Sequence, residues 1–289
     1  MSREVIAAGV VPEEAPQPSR WRLLRRSGGF RAGAAIVGFW ALAALFGPML
    51  VPWNPFATDP LHALAPPSAA HWFGTDQLGR DIFSRVIAGS RDILTIAPLA
   101  TLLGTIVGSA LGLAGGTLGG AFDFVLGRII EVLVSLPLIV VALLALVAFG
   151  ASPATTIVLI GLVFAPLVAR TVRAAVLGEI ALDYVAAAEL CGESRLAIMF
   201  VEILPNVLGP VLVEATVRLG YAVFAVASLS FLGFGPGPPS PDWGLAIAEN
   251  YGVIAGGYWW TVSFDAAATA SLVVGVNLLA EALHQALAS

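Results

Sequence analysis

Residues 132–169 include no charged side chain. About 20 apolar residues are enough to cross the hydrocarbon layer of a bilayer, so this run is too long for one crossing. It needs a turn inside it, and Gly150-Ala151-Ser152-Pro153 supplies one: Ser152 is suited to cap a helix and Pro153 to occupy its first position. Two spans fit here. Because backbone groups in lipid must be satisfied within the spanning segment, those spans are expected to be helices.

The rest of the chain has the same character. Hydrophobic residues make up 58% and charged residues 11%, with a mean hydropathy of +0.91, against roughly 45–50% and ~25% in soluble domains. The expected fold is an all-α integral membrane protein of about six transmembrane helices. The spans lie near residues 32–51, 93–115, 124–149, 154–171, 206–232 and 261–283. A Pro-, Glu- and Arg-bearing tail (1–30) precedes them. Residues 31–92 hold the first span and an extracytoplasmic segment, and 93–289 form the transmembrane core.

Arg20, Arg22, Arg25, Arg26 and Arg31 cluster before the first span and place the amino terminus in the cytoplasm. The apolar run after them exceeds the roughly 7–15 residues of a signal peptide, so it is expected to stay as an uncleaved span. Six crossings return the carboxyl terminus to the cytoplasm, with Arg170, Arg173 and Arg195 on the inner side. Arg80, Arg85 and Arg91 fall outside, against the positive-inside tendency, and acidic neighbours do little to offset this. The net charge of -5 says little about partners, because orientation follows the placement of positive charge and not the total; lipid is the expected surrounding, and no nucleic-acid partner is expected.

Several chemistries are absent. All basic residues in the Lys+Arg count of 14 are arginine, so there is no phosphate-binding loop lysine and no Schiff-base lysine. Cys191 stands alone, and His62, His71 and His284 form no zinc motif. No G-x-S-x-G elbow occurs. The chain is therefore expected to be non-catalytic and to bind no cofactor itself.

Within the spans, Gly104, Gly108, Gly112 and Gly116 recur every four residues beside Thr101, Thr105 and Ser109. Such a ladder lets helix backbones approach closely, and packing within this chain is its expected use. Pro137 should bend the third span at a position that could line a path. Glu214 and Arg218, four residues apart, can neutralise each other in lipid; a structural pair and a role in the path both remain open. Arg128, Glu131 and Asp265 should also pair, lie near an end or face water. Trp243, Trp259 and Trp260 in the Gly/Pro-rich segment 233–260 are expected at the headgroup layer.

One stretch, 177–205, is too charged for lipid: Glu179, Asp183, Glu189, Glu193, Arg195 and Glu202 crowd it. Tyr184 to Leu190 suggests a short helix with an Ala186-Ala187-Ala188 face, closed at Gly192. Side chains this short suit a close fit to another protein. Ala187-Ala188, Gly192 and Ile203-Leu204-Pro205 resemble the E-A-A loop of permease subunits of ATP-binding-cassette importers, and Ile203-Leu204-Pro205-Asn206 resembles the dipeptide and oligopeptide branch. Phe73-Gly74-Thr75-Asp76-Gln77-Leu78-Gly79-Arg80-Asp81 also resembles a signature of that branch. Here Asp76, Arg80 and Asp81 are expected to cap and brace an interfacial helix that leads into the second span. Ala186 stands where the family has Glu, and Glu189, about one turn of ~3.6 residues on, offers a carboxylate nearby.

The resemblance implies a type I importer transmembrane domain that forms half of a translocation pathway for di- or oligopeptides. Tyr184, Ala187, Ala188, Glu189, Gly192, Leu204 and Pro205 would couple it to ATPases, and Pro137, Glu214 and Arg218 would lie on the path. The implied partners are a second related permease, two ATPase subunits or domains carrying ATP and Mg, and an extracytoplasmic substrate-binding protein, at the plasma membrane of a bacterium. Nickel chelates or oligosaccharides are alternative cargoes. An ion-coupled secondary transporter is an alternative of another class.

Overall fold

The computed structural model describes residues 27–288. Arg20, Arg22, Arg25 and Arg26, with most of the expected tail, lie outside the described residues. The described residues are mostly helical, with an irregular segment between the first two helices: α1 (Gly28–Leu50), α2 (Ile82–Leu118), α3 (Gly120–Ser135), α4 (Leu138–Phe149), α5 (Pro153–Ile180), α6 (Asp183–Leu190), α7 (Leu204–Leu229), α8 (Trp243–Asn250) and α9 (Trp260–Ala288). Five helical runs are long and apolar enough to cross a membrane, or six if α3 and α4 form one broken span.

Local chemistry sets several boundaries. The Ser152 hydroxyl accepts a hydrogen bond from Thr155 N at 3.1 Å, and Pro153 begins α5, as its sequence suggests. Leu136-Pro137 separates α3 from α4, which are bent 89° apart. Pro137 has no N–H to donate and adopts an extended conformation (φ -62°, ψ 121°), so the third span is two short helices. The helical run of the fifth expected span starts earlier than its expected bound near 206, at Arg195. It reaches α7 through a π-helical turn, Ile198–Ile203, which ends just before Pro205.

The second span also differs from expectation. No separate interfacial helix exists: residues 82–118 form one 37-residue helix. At ~1.5 Å per residue it is about 55 Å long, well beyond the ~30 Å hydrocarbon layer. Its first turns are held by protein. Ile82 and Val86 are buried, and Trp243 Nε1 donates to Val86 O at 2.8 Å. Trp243 is therefore a core residue, edge-on to Trp40 at 4.8 Å, while Trp259 is exposed. The tight approach of α8 to Gly89, where a β-carbon would lie 2.9 Å from the Trp243 ring, draws that indole inward.

The glycine ladder joins α2 to α5 within the chain. Gly104, Gly108, Gly112 and Gly116 face Gly161, Ala165, Ala169 and Val176 so closely that a β-carbon on any of them would lie within 2.5–2.8 Å of a neighbouring atom. The core beside this seam includes Ile93, Ile96, Ala100, Ile160 and Phe164.

Two of the three arginines expected on the outer side, Arg80 and Arg85, are buried and paired, while Arg91 is exposed. Asp81 caps α2, its Oδ2 accepting from Ser84 N at 2.8 Å. Arg80 Nε bonds Asp76 at 2.6 Å and its Nη2 bonds Glu249 of α8 at 2.5 Å. Burial opposes the charge of Arg80, but the two carboxylates outweigh it and hold the guanidinium above its ordinary value. Arg85 lies 3.9 Å from both carboxylates and donates to the Pro55 and Ser240 carbonyls. These groups tie the segment before α2 to α8. They brace the fold, as expected for Asp76, Arg80 and Asp81.

Asp242 caps α8 by accepting from Leu245 N at 2.9 Å. Burial pushes its carboxyl up to about 6, partly offset by hydrogen bonds to Leu245 and Ser230 and reinforced by Asp92. The folded pKa is above the unfolded one, so between about pH 4 and 6 the folded state keeps a proton that the unfolded chain has lost. Stability falls as pH rises through that window and does not recover above it. Asp242→Asn, which keeps the cap, should remove this slope and raise the melting temperature in detergent by about 5 °C at pH 7.5, with no gain at pH 4. Equal shifts at both pH values would contradict this.

Candidate functional site

Two residues, Ala181 and Leu182, separate α5 from α6. Within α6, Val185 and Ala188 turn inward onto Ile198, Met199, Ile203 and Val207 and are 3% and 8% exposed. The outward alanines are Ala186 and Ala187, so the expected three-alanine face has only two of them and Ala188 anchors the helix to its own chain. The same exposed side carries Glu189, Leu190, Cys191 and Gly192. Leu190 is 90% exposed and Leu196 63%, so the exposed side of this segment carries apolar side chains beside its charged ones.

The carboxyl end of α6 is closed by its own backbone. Gly192 has φ +80°, its N–H donates to Glu189 O at 3.0 Å, and Glu193 N donates to Ala188 O at 3.2 Å. This is the paired arrangement that a left-handed residue permits, and glycine adopts it without a side-chain clash. Near the other end, the Tyr184 hydroxyl donates to Glu179 of α5 at 2.8 Å and accepts from Asn206 Nδ2 of α7 at 3.2 Å. Burial and the adjacent Glu179 carboxylate raise the phenol above its ordinary value, despite the Asn206 donor. Tyr184 therefore fastens α6 to the helix before it and the helix after it.

Leu204 packs on the cluster beneath α6, and Pro205 lies exposed at the start of α7. Glu189 and Arg195 edge a recess of about 100 Å³, shared with Thr117, Leu118, Ile180 and Val185. Glu189 thus borders the recess where the carboxyl ends of α2 and α5 meet α6.

A second feature lies deeper. A groove of about 400 Å³ is lined by Pro137, Phe164, Leu167, Arg218, Tyr221 and Phe224, among others. Pro137 and Arg218, singled out in sequence, meet here; Glu214 pairs with Arg218 at 2.6 Å without lining the groove. Arg218 also lies 5.5 Å over the Tyr221 ring. The groove is apolar with one neutralised cation at its edge. It has no nucleophile or base arranged for chemistry, and among the described residues no three His, Cys, Asp or Glu side chains could hold a metal.

Sequence reasoning named Asn206 only as a motif residue and missed its bond to Tyr184, and it missed Tyr221 and the pairing of Asp123 with Arg173. The last joins residues 50 positions apart, and no local pattern announces it. The role of Asn206 could have been found: it follows Ile203-Leu204-Pro205 directly, where a side-chain amide can reach back over the turn before it, as its bond to Glu202 O at 2.9 Å does.

Comparison with known proteins gives the same picture. Residues 100–289 match the family described as binding-protein-dependent transport system inner membrane component, and residues 19–67 match the N-terminal transmembrane domain of oligopeptide transport permease C. The chain is 36% identical over 278 residues to the dipeptide transport system permease protein DppC of Escherichia coli (strain K12), covering 94% of this chain and 92% of that one. It is 35% identical over 267 residues to the DppC protein of Bacillus subtilis (strain 168), covering 92% and 83%. A putative peptide transport system permease protein of Brucella suis is 36% identical over 272 residues, covering 92% and 89%. Taken with the helical fold, these matches make the chain a member of the binding-protein-dependent transport system inner membrane component family, with the transmembrane-domain fold of type I ABC importers.

Proposed function

We infer that this multi-pass membrane protein is a permease subunit of an ATP-driven importer of di- and oligopeptides, that it forms half of the translocation pathway, and that α6 is the surface on which a cytoplasmic ATPase sits. The observation that carries the reading is the exposed face of α6. Ala186, Ala187 and Leu190 are exposed while Val185, Ala188 and Tyr184 fix the helix to α5 and α7. An apolar, closely anchored surface of this kind suits rigid attachment to a partner. Relatives with dipeptide and peptide transport in their names supply the cargo class, and they favour it over nickel chelates, oligosaccharides or ion-coupled transport.

Both termini then lie in the cytoplasm of a bacterial plasma membrane. A second related permease completes the path, an extracytoplasmic binding protein delivers substrate, and ATP with Mg is held by the ATPases; this chain is non-catalytic. ATP-driven closure of the motor moves α6, and the attached helices carry the shift towards the groove at Pro137 and Arg218. The two states differ in which contacts are made, and that difference transmits the free energy.

The test is uptake of labelled alanyl-alanine into vesicles holding the whole complex, with and without ATP. Leu190→Glu places a charge in the proposed contact and should reduce capture of the ATPase by about tenfold or more, the scale of an interface hot spot. Glu189→Ala should lower ATP-driven uptake if its carboxylate serves where Ala186 stands in place of the family's Glu. A wild-type complex without ATP-dependent uptake, or Leu190→Glu with undiminished ATPase, contradicts the reading.

A further inference from the structure

Asp123 lies in the first turn of α3 and Arg173 on α5, about two turns before that helix ends at Ile180. The guanidinium grips the carboxylate with both prongs: Nε pairs with Oδ1, and Nη2 reaches Oδ2 at 2.5 Å. Gly115 of α2 leaves room for the pair, since a β-carbon there would lie 3.4 Å from Asp123 Oδ1 and 2.9 Å from the Leu126 side chain. Otherwise α3 is lightly held. Its buried contacts are Leu126 and Ile130, which pack on Ala169 of α5, while Phe124, Val125, Ile129 and Val132 are exposed. At its far end α3 breaks at Pro137, on the wall of the groove.

We propose that the Asp123–Arg173 pair is the link through which movement of α6 reaches the bend at Pro137. The proposal rests on the permease reading above. The physical path is continuous: α6 is fastened by Tyr184 to the end of α5, α5 grips the start of α3 by this pair, and α3 ends at the bend. A two-pronged arginine–carboxylate contact fixes orientation as well as distance, which a thin apolar contact between two smooth helices does not. Arg173 and Asp123 are positioning residues. They touch neither substrate nor ATPase but make α3 follow α5.

Breaking the link should separate hydrolysis from transport. In the complete complex in vesicles, Arg173→Ala and Asp123→Asn should keep ATP hydrolysis while alanyl-alanine imported per ATP hydrolysed falls about tenfold, the scale of a typical coupling free energy. The exchanged pair, Asp123→Arg with Arg173→Asp, should recover most of that ratio. A pair that only stabilised the fold would instead lower the amount of assembled complex and leave the ratio unchanged. If Arg173→Ala does not assemble, Arg173→Lys keeps the charge, loses the fork and should still lower the ratio. Single variants with the wild-type ratio, or an exchange that restores nothing, overturn the proposal. A wild-type complex with no ATP-dependent uptake overturns the permease reading itself, and that result is visible before any variant is compared.

Discussion

Arg85→Ala should give a protein that barely accumulates in the membrane. Arg85 is 2% exposed and sits among Asp76, Glu249, the carbonyls of Pro55 and Ser240, and the field of Asp265. Asp265 is buried too, and its Oδ1 has no hydrogen-bond partner among the described residues. Arg80 still pairs Asp76 and Glu249, but removing the Arg85 cation takes its field from the buried Asp265 carboxyl and leaves the Pro55 and Ser240 carbonyls without their donor. Breaking one side of a buried ion cluster in this way costs about 3–5 kcal/mol, a large part of a domain's net stability. Thermal unfolding in detergent measures it, and a melting temperature within about 2 °C of wild type would refute the expectation. Arg85→Met combined with Asp265→Leu should recover much of the loss, because removing both signs of charge from a buried site avoids the unpaired remainder.

The second large effect is expected at Gly108. A β-carbon there would stand 2.5 Å from the Ala165 carbonyl oxygen and 2.6 Å from the Val168 β-carbon. Neither atom is the tip of a flexible side chain, so Gly108→Val can be accommodated only if α2 and α5 separate. In a lipid setting, where close packing does most of the work of helix association, that separation removes contacts along the whole ladder. A loss of about 3 kcal/mol or more is expected, at the upper end of overpacking costs. Gly127→Ala in α3 is the control, because nothing lies within 4 Å of its would-be β-carbon. Similar melting temperatures for the two variants would mean that the ladder is not the seam.

Much of this was legible in the sequence because membrane helices obey a few strong constraints. Long uncharged runs had to be helices, Ser152-Pro153 had to begin one, and glycines every fourth residue had to meet another backbone. What escaped was set by distant partners. Nothing near Trp243 in the chain reveals that Gly89 leaves a slot for its ring, so it was expected at the headgroup layer. The continuity of α2 was hidden for a related reason: charges at Arg85, Arg91 and Asp92 look like the end of a span, yet Arg85 is neutralised by groups as far away as Glu249. For the proposed site, the docking stretch stood out by its charge, and Pro137 and Arg218 by their rarity in lipid. Their meeting in one groove depends on the 89° bend, whose angle a lone proline does not specify.

The closed backbone at Gly192 has one more consequence. An eight-residue helix is ordinarily too short to persist in water, and a partner that grasped it would have to order it first. Here the turn at Gly192 and the phenol of Tyr184 have already removed that freedom. Association on this surface therefore loses little conformational entropy, and its heat-capacity change should track the apolar area covered, without the surplus that accompanies folding on contact.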